Sequence, residues 1–347
     1  MLRLVLALCF FAAFSAVSAP VYSTTPAAAA KDPSPVAVTT HYAFYSNPWL
    51  NLHHFLYQWA CVERAERHPC KRRYDVPERA DLDRLTPEER RTWEKALRFY
   101  ADSLLDRSLL FDAEMRAVKH ALRSVEDADS DVLDTLPLGV GPSLTGAMSV
   151  YRAHWWSEHD AANRRWIDAM VARLRPIEAA LVDRMVRAYG TTWPDKQLAV
   201  DVAPYATWQG AYTTIRPTHI TIAWRLSEAG SDGAVETLVH ETAHDGAFTG
   251  PLLAALRESF AAVDAEPPGE LWHVMIFYLS GEITRWVAAE DPATYEHYAA
   301  RRGLYDRAPW SAWIPAIQRH GAPFVEGTAD RATAFARIAR DIAAGAK

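Results

Sequence analysis

The chain has 347 residues, half of them hydrophobic and 23% charged, which excludes a disordered or low-complexity protein. That length fits one large domain or two of moderate size. Lys and Arg number 37 against 43 Asp and Glu, and the resulting net charge of −6 argues against a nucleic-acid partner.

Residues 1–19 have the pattern of a secretory signal peptide. Arg3 supplies a positive charge, residues 4–14 form an apolar run, and small residues follow at 17–19. The run is too short to cross about 30 Å of hydrocarbon comfortably, so we expect no stable membrane span after the signal is removed. An uncleaved anchor is the alternative. The sequence therefore predicts an exported protein, periplasmic or secreted.

Two cysteines remain once the signal is removed. Cys61 and Cys70 lie close together in the sequence, and an oxidising compartment favours a bond between such a pair. The sequence predicts a disulfide between them, with two unrelated thiols as the alternative.

Residues 20–40 are rich in Pro, Ala, Ser and Thr and are predicted to be a disordered linker. A helical N-terminal region is expected over residues 41–190, because helix starts such as Asn47-Pro48 precede apolar residues at helical spacing. Within it, residues 131–146 contain three Gly and two Pro and are predicted to be a loop or a subdomain junction.

The pattern changes in the second region, residues 191–347. Residues 198–202 and 218–224 are short, rich in β-branched residues and bounded by Pro or Gly, so they are predicted to be strands. In the later strand, apolar side chains alternate with others, which indicates one buried face. Helical patterns return from residue 232 to the end of the chain. The sequence therefore predicts an α+β fold that is predominantly α-helical.

The most informative segment is a His-Glu-x-x-His motif on a helical pattern, formed by His240, Glu241 and His244. Residues four apart lie on one face of a helix, so the two histidines can direct nitrogens at one Zn²⁺. Glu241 is about 100° round the helix from His240, where a general base can take a proton from water beside the metal. The alternative is a helix whose two histidines pair with carboxylates.

At these residues the sequence resembles the zincin metallopeptidases, in which a strand lines the substrate cleft and the next helix carries this motif. The resemblance covers residues 218–248. The metzincin extension is absent, because it needs Gly and His where this chain has Ala247 and Gly250. The resemblance implies a zincin-like core of the gluzincin type, with a small sheet before the active-site helix and a third ligand on a downstream helix. Residues 51–57 and 154–159 are similar to uncharacterised exported bacterial proteins, which implies no activity.

The predicted donor helix covers residues 269–289 and offers Glu270, His273 and Glu282. His273 lies among apolar residues, and a buried imidazole needs a partner. Glu282 is explained by an ion pair with Arg285, although Glu is the usual third ligand of the gluzincin branch. His273 and Glu282 are about 180° apart on the helix and cannot both reach one metal. We predict His273 as the third ligand, with Glu282 as the alternative.

The sequence thus predicts an exported zinc-dependent hydrolase, a metallopeptidase that acts on a peptide or protein substrate. Its catalytic part is the region over residues 191–347, with Zn²⁺ on the three histidines and Glu241 as general base. Tyr212 and His219 are the candidates for oxyanion stabilisation. The alternatives are an exported zinc protein without turnover and a zinc hydrolase of non-peptide amides or esters. The sequence does not indicate an oligomeric state.

Overall fold

The computed structural model describes residues 34–64, 79–125, 130–207 and 209–345, all within one unit that spans residues 33–347. The predicted signal peptide and Cys70 lie outside the described residues, so export and the disulfide stay predictions. Cys61 is buried in a helical core. Within the described ranges, no helix combines the length and the apolar character that a membrane crossing requires.

The described residues contain five strands and thirteen α-helices, so the fold is α+β and mainly helical, as the sequence predicts. The strands are β1 (Ala37–Val38), β2 (Tyr42–Tyr45), β3 (Leu198–Ala203), β4 (Ala211–Thr214) and β5 (His219–Ala223). The helices are α1 (Pro48–Glu63), α2 (Pro87–Ser103), α3 (Ala113–Arg123), α4 (Ser130–Asp134), α5 (Val140–Tyr151), α6 (Ser157–Leu174), α7 (Glu178–Tyr189), α8 (Asp232–Ala243), α9 (Gly246–Ala261), α10 (Leu271–Val287), α11 (Tyr298–Arg301), α12 (Trp310–Glu326) and α13 (Arg331–Gly345).

The strands form one mixed sheet in the order β1-β2-β3-β5-β4. Strands β2, β3 and β5 are parallel, whereas β1 and β4 pair antiparallel at the two edges. Strand β2 comes from the predicted helical region, so the two predicted regions share one sheet. Strand β1 lies within the predicted linker, and ordered structure therefore begins before residue 41. Both strands were missed because they are only two and four residues long, and because β2 depends on a partner, β3, that is distant in the sequence.

Helices cover both faces of the sheet. One face, with Val200 and Ile222, packs against α6, α7, α8 and α10. The opposite face, with Tyr212 and Ala223, packs against α1, α2, α3 and α5. The sequence indicated a single buried face for β5, yet all five of its residues are buried. The expectation was wrong because helices remote in the sequence cover the second face of the sheet. The alternation of side chains within one strand gives no information about such distant contacts.

Residues 131–146 are largely helical, contrary to the predicted loop. They form most of α4, a short turn and the first half of α5. One of the three glycines there, Gly141, serves close packing, because a Cβ on it would lie 1.9 Å from the carbonyl oxygen of Leu133. Only glycine at position 141 lets α5 approach α4 so closely, whereas Gly139 has a positive φ of 67° and precedes the first residue of α5.

Candidate metal centre

Helix α8 carries the His-Glu-x-x-His motif. The side-chain oxygen of Ser231 caps it by accepting a hydrogen bond from the main-chain N–H of Ala234. Beyond its first residue, α8 is buried except for four residues that form an accessible stripe along a single face of the helix. Successive members of the stripe are four, three and four positions apart in the sequence. The members of this accessible stripe, including the residue that ends the helix, are Gly233, Thr237, His240 and His244.

His273 lies on α10, the helix that packs against α8. Its ring centroid is 5.4 Å from that of His240 and 5.2 Å from that of His244. The ligand nitrogens of the three histidines all lie within 4.8 Å of one another. The structure thus brings together the three side chains that the sequence proposed as metal ligands, here called the histidine cluster.

The histidine cluster fits Zn²⁺ in geometry and in donor chemistry. The Nε2 atoms of His240 and His244 are 3.2 Å apart. Tetrahedral Zn²⁺ with Zn–N bonds near 2.05 Å would place two ligand nitrogens about 3.3 Å apart. Burial lowers the pKa of His244 to about 3 and that of His273 to about 4, and it holds the pKa of His240 well below its usual range. All three imidazoles are therefore neutral at pH 7, the state that offers a lone pair to a metal.

Aromatic side chains surround the cluster. The ring centroid of Phe277 is 4.0 Å from that of His240, and Trp272 stacks on His273 at 5.1 Å. The Trp310 ring lies edge-on to His273 at 5.9 Å. These apolar rings reduce the local polarity, which strengthens electrostatic interactions at the cluster.

Glu241 contacts the edge strand β4. The hydroxyl of Thr213 lies 2.8 Å from both the carboxylate Oε2 and the main-chain oxygen of Glu241. Burial raises the pKa of Glu241 to about 7, against the opposing effects of the Thr213 hydrogen bond and the charge of Lys119. A carboxyl with this pKa can take up and release a proton near neutral pH. Sequence reasoning missed Thr213, although the β-branched run over residues 213–215 was a usable strand signal.

Glu282, the alternative third ligand, belongs to a separate cluster. Its carboxylate lies 3.1 Å from Nε2 of His297 and also pairs with Arg285. Burial raises the pKa of Glu282, but the hydrogen bonds from these two partners outweigh it, and the net shift is downward. The side chains close enough to share one ion are the three histidines and not Glu282. Glu270 also has a partner elsewhere, because its carboxylate accepts a 2.9 Å hydrogen bond from the Trp310 indole.

Tyr212 and His219, the candidates for oxyanion stabilisation, face the other side of the sheet. Tyr212 precedes Thr213 on β4 and points to the opposite face, where its hydroxyl lies 2.8 Å from Nε2 of His54. His219 is buried with its Nε2 2.6 Å from the carboxylate of Asp201. Neither side chain is placed to act at the histidine cluster, so that expectation was wrong.

Comparison with known proteins gives no match. No protein-family model, no curated protein and no solved structure matches this chain. The case for a function accordingly rests on the side chains of the histidine cluster and on Glu241.

Proposed function

We propose that the protein is an exported zinc-dependent hydrolase that cleaves peptide bonds. The observation that carries this proposal is the histidine cluster with the buried Glu241 next to its first member. Catalytic zinc sites have three protein ligands and an open position, whereas structural sites are closed by four. The described residues supply three ligands within reach of one ion, the catalytic number.

We also propose a zincin-like core. Strand β4 is an antiparallel edge strand, α8 packs against it, and Thr213 of β4 contacts Glu241 of α8. In the zincins that the sequence resembles, a strand lines the substrate cleft. We assign this role to β4, because β4 lies at the edge of the sheet whereas β5 lies inside it. Edge strands can pair with extended peptides through their main-chain groups, which supports a peptide as the substrate.

Each side chain at the site has a separate role in the proposed hydrolysis. When bound to the histidine cluster, Zn²⁺ supplies a Lewis acid that polarises the scissile carbonyl and acidifies water. Glu241 accepts the proton of the attacking water and passes it to the nitrogen of the leaving amine. Thr213 positions the Glu241 carboxylate through its hydroxyl. Trp272 and Phe277 limit the access of bulk water.

Glu241→Gln tests this function, because it removes the proton acceptor and keeps the side-chain shape. We expect hydrolysis of a peptide library to fall by about 10³-fold, since general-base catalysis contributes on that order. Zinc content, measured by elemental analysis, should stay at about one equivalent per chain, and thermal unfolding should not change. Glu258→Gln is the matched control, because Glu258 is exposed on α9 and should retain full activity.

Three other results would change the proposal. Activity of the Glu241→Gln variant within a few-fold of the wild type would contradict the general-base role. Loss of zinc together with activity would make Glu241 a structural residue. Zinc binding by a wild type that cleaves neither peptides, esters nor non-peptide amides would identify a non-catalytic zinc protein, and cleavage of esters or amides alone would change the substrate class.

A further inference from the structure

An open cavity of about 300 Å³ adjoins α8 beside the histidine cluster. Two of its lining residues, Gly233 and Thr237, belong to the same accessible stripe as His240. Along the helix axis, Thr237 is about 4.5 Å and Gly233 about 10 Å from His240. The cavity therefore continues the face of α8 that carries the metal ligands. The lining residues used below are Ser227, Glu228, Tyr298, Arg301 and Arg302.

Tyr298 connects the cavity to the histidine cluster. Its ring stacks on Phe277 at 6.4 Å with an interplanar angle of 7°, and Phe277 in turn packs on His240 at 4.0 Å. The main-chain N–H of Tyr298 donates to the buried carboxylate of Glu236 on α8, at 2.8 and 2.9 Å. The segment that carries the two arginines is thus fixed to the same helix as the metal ligands.

The charges on the lining favour an anion. Arg302 is exposed, its guanidinium lies 5.5 Å from the Tyr298 ring centre, and no carboxylate of the described residues pairs with it. Arg301 extends over the first turn of α8. Its Nη2 lies so close to Gly233 that a Cβ atom added to this glycine would be 3.2 Å from it. The Nη2 of Arg301 also lies 3.9 Å from the buried carboxylate of Glu236, and Glu228 is the one carboxylate among the lining residues. The guanidinium of Arg302, which has no carboxylate partner among the described residues, can bind a ligand carboxylate through two parallel charge-assisted hydrogen bonds.

An unpaired donor adds to this preference. Ser227 is 8% exposed, and its hydroxyl has no hydrogen-bond partner among the described residues. A buried hydroxyl without a partner carries a desolvation cost, which a ligand oxygen in the cavity would relieve. The N-terminus of α8 contributes a further partial positive charge.

We propose that this cavity is a subsite that binds a carboxylate group of the peptide substrate while the scissile bond lies at the histidine cluster. The inference rests on the function proposed above. An extended peptide advances about 3.3 Å per residue, so the carboxylate would belong to a residue within about three positions of the cleaved bond. An acidic side chain and the C-terminal carboxylate offer the same chemistry, and the experiment separates them.

Calorimetric titration of the zinc-loaded Glu241→Gln protein with two sets of hexapeptides tests the subsite. The first set is acetylated and amidated and carries one Asp at each position in turn, each matched by its Asn analogue. The second set has no Asp and compares a free C-terminus with an amidated one. We expect about tenfold tighter binding of the carboxylate member in one of the two sets, since hydrogen bonds to charged groups contribute on that order. The set that shows the preference identifies the source of the carboxylate.

Variants assign the effect to the cavity. Arg302→Gln should reduce the preference to within about twofold, and Arg302→Glu should reverse it in favour of Lys-containing peptides. Arg307→Gln is the matched control, because Arg307 is exposed nearby in the chain but outside the cavity, and it should keep the preference. Glu228→Gln should strengthen the preference, since it removes the opposing charge.

Equal binding of carboxylate and neutral peptides, no binding at about 1 mM, or an unchanged preference in Arg302→Gln would each overturn the subsite. Steady-state kinetics of the wild type on the same peptides separates this result from the proposed function. A carboxylate preference that Arg302→Gln removes, without hydrolysis of any peptide, supports the subsite and contradicts the peptidase function. Hydrolysis without any preference supports the function and overturns the subsite.

Discussion

At the scale of single residues, the choice between His273 and Glu282 depends on which side of α10 meets α8. The two positions are about half a turn apart on the helix, so only one can face the histidine cluster. His273 is partly exposed beside His240 and His244, whereas Glu282 is buried and paired with His297. The helical angle excluded a shared site from the sequence alone, but which side faces α8 is a matter of tertiary packing.

His273→Ala is expected to lower the zinc content of dialysed protein sharply, because the loss of one of three ligands weakens binding by about 10²-fold or more. Glu282→Gln should keep about one equivalent of zinc and lower the free energy of unfolding by about 1–3 kcal/mol, since it leaves His297 and Arg285 without their charged partner. Elemental analysis and denaturant unfolding measure the two effects. Zinc lost from Glu282→Gln and kept by His273→Ala would return the third-ligand role to Glu282.

At the scale of elements, strand β4 is fixed on both of its faces. Thr213 contacts Glu241 on the α8 side, and Tyr212 contacts His54 of α1 on the other side. The Nδ1 of His54 lies 2.8 Å from the carbonyl oxygen of Leu50 and therefore carries the ring proton, so Nε2 accepts from the Tyr212 hydroxyl. The strand that holds the Glu241 carboxylate is thus itself held by α1, an element more than 140 positions earlier in the chain.

Thr213→Val should lower kcat on a peptide substrate by about tenfold, because the Glu241 carboxylate loses the hydroxyl that orients it. Zinc content should stay unchanged. Thr213→Ser restores the hydroxyl with a smaller side chain and should retain most of the activity. An equal loss in both variants would point to strand packing as the cause, and full activity of Thr213→Val would show that the contact is dispensable.

Elements with local signals could be predicted from the sequence. Helix α1 begins where Asn47 accepts a hydrogen bond from the Leu50 N–H, and α2 begins with a capping box between Thr86 and Glu89. Strands β1, β2 and β4 have two to four residues and pair with partners that propensity does not reveal.

The candidate site likewise contains residues that could be predicted from the sequence and residues that could not. Motif spacing alone places His240 and His244 on one helix face, and the need of a buried imidazole for a partner indicated His273. The cavity residues Tyr298 and Arg302 come from a segment without any motif. Their proximity to α8 results from the Glu236 contacts and has no signature in the sequence.

At the scale of the whole molecule, the sheet buries a row of polar groups between its second face and the helices that cover it. The Asp201 carboxylate lies 2.6 Å from Nε2 of His219, and the Lys119 ammonium donates a 2.8 Å hydrogen bond to the His219 carbonyl. Burial raises the pKa of Asp201 to about 7 and lowers that of Lys119 to about 7. Ionisation of either group inside the fold therefore has a free-energy cost that depends on pH.

Asp201→Asn should change the pH dependence of stability in a defined direction. Because the pKa of Asp201 is higher in the folded than in the unfolded chain, its contribution is fully present below pH 4 and is lost as the pH rises towards 7. Relative to the wild type, Asp201→Asn should therefore become progressively more stable between pH 4 and pH 7. Denaturant unfolding at several pH values measures this difference.

Asp195→Asn is the control for this experiment, because Asp195 is exposed and its replacement should give a nearly constant offset over the same range. A constant offset for Asp201→Asn as well would contradict a buried carboxyl with a raised pKa.

The parallel pairing of β2 with β3 sets the time at which the sheet can close. Tyr42 pairs with Leu198, about 155 positions later, and ribosomes add about 5–20 residues per second. For about ten seconds or more of synthesis, β2 can pair only with β1 and lacks its partner β3, and contacts of such sequence separation also form slowly. If the chain is exported as its N-terminus predicts, this delay favours an unfolded chain that can thread through a translocation channel, and α8, which carries two members of the histidine cluster, is completed only after all the described strands have emerged.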